Sequence, residues 1–188
     1  MSNDPEIWTI GHWTCPVSAF LQPLDYQDID LLADVRAQPG SRRNPQFGSE
    51  AMAHWLKDAG IGYVHLPELG GRRPNQHAEP DTNAGWQNTS FKNYADYTLT
   101  AEYDHGIARL TALALSHRTV VMCGEPMPWR CHRLLIANTL TVRGWTVWHL
   151  MGEACPRKHQ LGRWGATPIV DEQGRLTYPD TPLSRTGQ

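Results

Sequence analysis

Cys123, Glu125, Cys131, His132 and Arg133 crowd into one short stretch, and their types are those of a thiol centre with proton carriers and an anion holder. A cysteine attacks as its thiolate or cycles through redox states, a carboxylate or imidazole moves the proton, and arginine grips carboxylate or phosphate bidentately. Residues 120–123 read as a buried strand and a helical pattern follows over 131–143, which places Cys123 at a strand-to-helix corner. The positive end of that helix, reinforced by Arg130 and Arg133, favours a thiolate there. A plainer reading makes Cys123 a small apolar residue finishing the strand and leaves His132 and Arg133 to pair with Glu125 or loop carbonyls. A carboxylate and two arginines beside one thiol favour chemistry over packing.

An Asp-x-Arg strand end followed by a strand-Cys-loop-helix unit is similar to rhodanese-like sulfurtransferases and cysteine phosphatases. Their loop amides face an anion. Here Pro126 and Pro128 remove two donors and Glu125 adds a repelling charge, so a phosphatase-type cradle is not expected. Cys123, Cys131, His132, His12 and His65 are all metal-capable. None of them has Cys-x-x-Cys spacing, and in a helix Cys131 and His132 would point about 100° apart. No metal centre or other cofactor is assigned on this basis, and the one ligand set left open is Cys123 with His12 and His65. A Cys123–Cys131 disulfide has no support from spacing. Trp129 reads as a packing lid more than as a stacking platform.

Positioning such a centre takes a scaffold, and five β-rich runs supply its outline. The runs 7–11, 30–36, 62–66, 119–123 and 146–150 alternate with helical patterns, the signature of an α/β domain with a mainly parallel sheet flanked by helices. Residues 18–26 carry a helix interrupted by Pro23. Ser49 is placed to cap a helix that buries Met52, Trp55, Leu56 and Ala59 until Gly60 stops it. Ile107, Leu110, Leu113, Ala114 and Leu115 mark an apolar helix face; Leu134, Leu135, Ala137 and Leu140 mark another, ended by Gly144. In an open parallel sheet the loops leaving the carboxyl ends of the strands share one edge, where ligands bind. His12, Asp34, Arg36, His65, Glu68, Cys123 and Glu125 all stand at such ends, so parallel strands would gather them. The loops 37–48 and 67–90 are long and rich in Pro, Gly, Asn and Arg, as functional loops are. Residues 1–152 therefore read as one α/β domain. Residues 153–188 read as an extension packed on it or partly flexible, with a hairpin over 167–178 turning at 172–174.

Length and composition narrow the classes. The 188 residues suit a single domain, and 40% hydrophobic residues suffice for its core. No apolar run approaches the roughly 18 residues of a membrane span, and the polar, acidic stretch 1–6 lacks a leader pattern. A cytoplasmic protein without a membrane partner is expected. Cys15, Cys123, Cys131 and Cys155 lack the density of a disulfide scaffold, so reduced thiols are expected. A net charge of −2 argues against coating nucleic acid or anionic membranes through bulk charge. Local clusters remain: all but three of the 17 basic residues are Arg, and several form the sets Arg36/Arg42/Arg43, Arg72/Arg73 and Arg130/Arg133. The planar guanidinium suits phosphate and base contacts, although any one Arg can be a solvated surface charge.

Taken in order, Thr9-Ile-Gly-His12, Asp34-Val-Arg36, Ser41-Arg-Arg-Asn-Pro-Gln-Phe47, His65-Leu-Pro-Glu-Leu-Gly-Gly-Arg-Arg73, Tyr94-Ala-Asp-Tyr97 and Cys123-Gly-Glu125 with Cys131-His-Arg133 resemble the family labelled domain of unknown function 488. The resemblance covers roughly residues 7–150. Gly124 stands where the family pattern leads one to expect Ala. What the resemblance implies is a site, with His12, Asp34, Arg36, Glu68, Arg72, Cys123, Glu125, Cys131, His132 and Arg133 acting as a set, and no particular activity.

The leading expectation is a thiol-dependent enzyme. Cys123 is its nucleophile or redox thiol, and Glu125, Cys131 and His132 share the chemistry. His12, Asp34, Arg36, Arg42, Arg43, Glu68, Arg72, Arg73, Arg130 and Arg133 surround an anionic substrate: a nucleotide, a nucleic-acid end or a phosphorylated metabolite. The alternative is a module that binds nucleic acid or a protein through its Arg-rich loops, with structural cysteines. A third reading is a metal-dependent hydrolase or oxidase. Substrate, reaction and oligomeric state stay open.

Overall fold

Val, Ile, Leu and Trp dominate the short runs marked as strands. In the computed structural model, which describes residues 4–152 and 155–180, these runs build the middle of one sheet. Strands β1 (Glu6–Gly11), β2 (Leu31–Asp34), β3 (Gly62–His65), β4 (Thr119–Cys123) and β5 (Thr146–Leu150) are mutually parallel, in the order β3-β2-β4-β1-β5. The five expected strands are all present. A sixth, β6 (Arg157–Lys158), adds an antiparallel edge beside β5 that the sequence reading did not contain.

Helices α1 (Val17–Tyr26) and α2 (Ser49–Asp58) cover one face of the sheet; α3 (Thr89–Tyr97), α4 (Ala101–Ser116) and α5 (Arg133–Val142) cover the other. The strand period of two divides the side chains between them: Trp8 and Ile10 pack with Phe20, Leu24, Met52 and Leu56, whereas Ile7 joins Tyr94, Tyr103 and Leu134. Each fully buried Leu, Ile or Phe contributes about 1.5–3 kcal/mol to folding, so two such clusters fix the sheet between its helices and hold the strand ends in place. No helix among the described residues is long and apolar enough to cross a membrane.

Helix ends differ from expectation in instructive ways. Gly48, not Ser49, is the N-cap of α2, and Ser49 makes no side-chain cap. Gly60 ends the helix as expected, at φ 74°. Helix α3, which the sequence reading left without an element, is started by Asn88, whose side chain accepts from the amides of Ser90 and Phe91. In α4, Ile107 and Leu110 are buried, but Leu115 faces solvent at 73% exposure and does not belong to the apolar face. Helix α5 starts at Arg133 rather than Cys131, two residues later than the pattern suggested.

The described part of the extension is packed. Strands β7 (Ile169–Val170) and β8 (Leu176–Thr177) form the expected hairpin, and Leu176, Tyr178 and His159 are buried against the domain. Residues 153–154 and 181–188 lie outside the described residues.

Candidate active site

At the carboxyl ends of β2, β3 and β4 lies a cavity of about 500 Å³, edged by the loops after β2 and β3, by α3 and by the segment 123–132. The register pairs Gly11 at the end of β1 with Cys123 at the end of β4. A Cβ on Gly11 would lie 2.0 Å from the Glu125 carbonyl oxygen, so only glycine lets the chain after Cys123 settle on the sheet edge.

Two sulfurs and one imidazole converge on this cavity. His132 Nδ1 lies 3.6 Å from Cys131 Sγ and 3.9 Å from Cys123 Sγ. Nε2 of the same ring is 2.9 Å from the Val35 carbonyl oxygen, which can only accept. Nε2 therefore carries a hydrogen, and Nδ1 is the ring atom that faces both sulfurs. Tyr94 packs edge-on against the ring, with centroids 5.0 Å apart. The expectation that a helical Cys131 and His132 diverge is overturned: after the turn Pro128–Arg130, Cys131 is extended (φ −136°, ψ 148°) and His132 is the N-cap of α5. An extended residue followed by an N-cap does not obey the 100° helical rotation.

The two thiols are unequal. Burial works against ionising Cys131, but the hydrogen bond from Cys123 and the charges of His132 and Arg133 outweigh it and hold Cys131 well below the usual thiol range. Cys123 is pushed well above that range, first by its hydrogen bond with Cys131 and then by burial. Of the pair, Cys131 is thus the thiol that ionises more readily. All four cysteines are free thiols.

Arg133 supplies the nearby charge. It is 1% exposed and meets no carboxylate among the described residues. One terminal nitrogen donates to Thr9 Oγ1 at 3.3 Å, the other to the Glu125 carbonyl and more distantly to that of Pro126, while Nε has no partner. A buried cation without a counter-ion is costly, and its charge favours ionisation of both thiols. From Thr9 a buried chain continues. Thr9 donates to His149 Nδ1 at 2.7 Å, His149 Nε2 to His159 Nδ1 at 3.0 Å, and His159 Nε2 to Asn138 Oδ1 at 2.8 Å. Asn138 then donates to the Tyr178 hydroxyl. Burial, and for His149 the nearby charges of His159 and Arg133, lowers the two rings to about 3 and about 4 respectively, so both are neutral links.

The other expected arginines and acids divide into three groups. Arg72, Glu125 and Arg130 border the cavity with the two cysteines and His132. Arg72, at φ 59°, and Arg130 are exposed and have no acidic partner among the described residues. Glu125 only accepts a long bond from the Met127 amide at 3.5 Å. The second group is consumed by the fold. Arg36 borders the cavity, but its guanidinium is spent on Asp34 at 2.6 Å and on the Phe47 carbonyl at 2.7 Å; Tyr63 also donates to Asp34. Glu68 pairs with Arg109 of α4, and Arg73 is held by the carbonyls of Pro67 and Gly70 above the Tyr97 ring. Arg42 and Arg43 are exposed and outside the cavity lining.

His12 and His65 do not join Cys123 as ligands. His12 Nδ1 donates to the Trp13 carbonyl at 2.7 Å, its ring stacks on Phe47, and burial lowers its pKa. His65 Nε2 donates to the Arg36 carbonyl at 2.8 Å. Sequence reasoning missed the roles of Gly71, Tyr94 and the His149–His159 pair. A lone His inside the apolar run of β5 was the available signal for the last of these.

No curated protein and no solved structure matches the chain. The sequence pattern of one family does: that described as Domain of unknown function DUF488 matches residues 16–140, well over half of the 188 residues, and the chain belongs to this family.

Proposed function

We propose that the protein is a thiol-dependent enzyme acting on an anionic substrate. The Cys123–Cys131 pair supplies the nucleophile, His132 Nδ1 takes its proton, and Arg72 and Arg130 hold the substrate's charge at the cavity mouth. The observation that carries this reading is Arg133, a buried guanidinium without a carboxylate partner among the described residues, whose charge acts on two thiols that flank one imidazole nitrogen. Structural cysteines in a binding module would be sealed in the core. Both of these border an open cavity of about 500 Å³, a volume that suits a nucleotide or a phosphorylated metabolite. Glu125 is the one carboxylate on the lining and would repel an anion, so its place is proton exchange with the substrate and not binding.

The test uses chelator-treated, reduced protein. Iodoacetamide at about pH 7 should modify Cys123 or Cys131 ahead of Cys15, and His132→Asn should slow that reaction. Modification should also abolish the stabilisation seen in a thermal-shift screen of AMP, ribose 5-phosphate and a short single-stranded oligonucleotide. A ligand at ~100 times its Kd adds about 2.7 kcal/mol. Site thiols that stay inert until unfolding, or no response to any of these anions, would overturn the reading.

A further inference from the structure

We propose that Cys123 Sγ, Cys131 Sγ and His132 Nδ1 form a three-ligand site for a zinc-class divalent ion. The proposal rests on the reading of this cluster as the reactive centre: the ion takes the atoms that carry the thiol chemistry in the metal-free protein, and its ligation is measured apart from thiol reactivity. The three atoms all lie within 4.8 Å of one another. A tetrahedral ion with Zn–S of about 2.3 Å and Zn–N of about 2.0–2.1 Å sets sulfur and nitrogen roughly 3.6 Å apart. The separations from Nδ1 here are 3.6 and 3.9 Å. The hydrogen bond between Cys123 and Cys131 links the two sulfurs to each other, but the single lone pair of Nδ1 in a neutral ring can serve only one of them. One ion serves all three atoms at once.

The surroundings have the marks of a metal centre. A ligating histidine usually donates its second ring N–H to a carbonyl or carboxylate, which fixes its tautomer and aim; here the Val35 carbonyl takes that hydrogen. Two thiolates and an imidazole are soft to borderline donors, which favour zinc over magnesium or calcium. All three ligands border the cavity, so an ion held by them keeps a position open to water or substrate, as catalytic zinc sites with three protein ligands do. Loading exchanges both thiol protons for the ion, releasing them to solvent, and leaves the ion with its two thiolates neutral overall. Arg133 beside it then favours an anionic fourth ligand.

The experiment is a titration of the reduced full-length chain with Co²⁺ and then Zn²⁺. Stoichiometric Co²⁺ should produce a thiolate-to-metal charge-transfer band together with the intense visible bands of a four-coordinate ion. Zn²⁺ should bleach both and release protons. Cys123→Ala, Cys131→Ala and His132→Ala should each weaken zinc binding by more than the about 10- to 100-fold typical of changes to residues that only hold a ligand in place, whereas Cys155→Ser should leave it unchanged. Circular dichroism of each variant shows that it has folded. No charge-transfer band in the wild type, or zinc affinity unaltered in folded cluster variants, overturns the site. Iodoacetamide reactivity in the same metal-free protein would in that case leave the thiol-enzyme reading standing, and its absence with intact metal binding would remove only that reading.

Discussion

The imidazole of His132 rests against the backbone of Gly71, so closely that a Cβ there would sit 2.8 Å from Nδ1. Gly71 therefore leaves room for the ring to reach Val35 on one side and two sulfurs on the other. Gly71→Ala should push the ring off the Val35 carbonyl, costing about 1 kcal/mol for the lost bond. Zinc binding and thiol reactivity should both fall at least tenfold, about 1.4 kcal/mol. Alkylation kinetics and zinc affinity on a variant with near-normal melting temperature check this; unchanged values would mean that the ring position is not what matters.

Asp34 and Arg36 are assigned to the scaffold. The carboxylate is fully buried and takes bonds from Arg36, Tyr63 and the Arg36 amide. Asp34→Asn leaves the guanidinium buried without its counter-charge, and should cost about 3–5 kcal/mol in denaturant unfolding. A loss under about 1 kcal/mol would return Asp34 to the list of ligand-binding candidates.

The His149–His159 pair predicts acid sensitivity. Both rings have an ordinary value of 6.5 and are lowered to about 3 and about 4 in the fold. Below about 6.5 the unfolded chain binds protons that the folded chain refuses. The stability present above that value is therefore lost as the pH falls toward 4 and then 3. At a pH of about 4.5 the loss is about 2–3 kcal/mol per ring. Unfolding curves between about pH 7 and 4.5 should flatten in His159→Gln, and an identical slope in wild type and variant would sink the assignment.

Opposite charges at the cavity mouth should separate binding from turnover. Arg72→Ala and Arg130→Ala should keep stability within about 0.5 kcal/mol of the wild type and weaken ribose 5-phosphate binding. Glu125→Gln should bind that anion equally or more tightly, since a repelling charge is gone. Turnover of the eventual substrate should nevertheless drop at least about tenfold. Calorimetry and kinetics on the same preparations decide it, and undiminished turnover would take Glu125 out of the chemistry.

Periodicity in the chain determined the five parallel strands and the apolar faces of α2 and α5, because the alternation of two and the repeat of 3.6 are local properties. From the alternation of strands and helices it also followed that parallel strands would bring His12, Asp34, Arg36, His65, Glu68, Cys123 and Glu125 to one edge. What the tertiary structure decided was direction and availability. Cys131 and His132 aim at one point only because the helix begins two residues later than its pattern suggests, and dihedrals at such a break are set by the turn Pro128–Arg130 packed on the sheet edge. Whether an arginine is free or spent depends on partners remote in sequence: Arg36 is spent on the Phe47 carbonyl and Asp34, while Arg72 is open to the cavity. The link from Arg133 through Thr9 and His149 to His159 joins α5, β1, β5 and the extension, and no spacing rule reaches that far, since each bond exists only once the strands and the extension have packed.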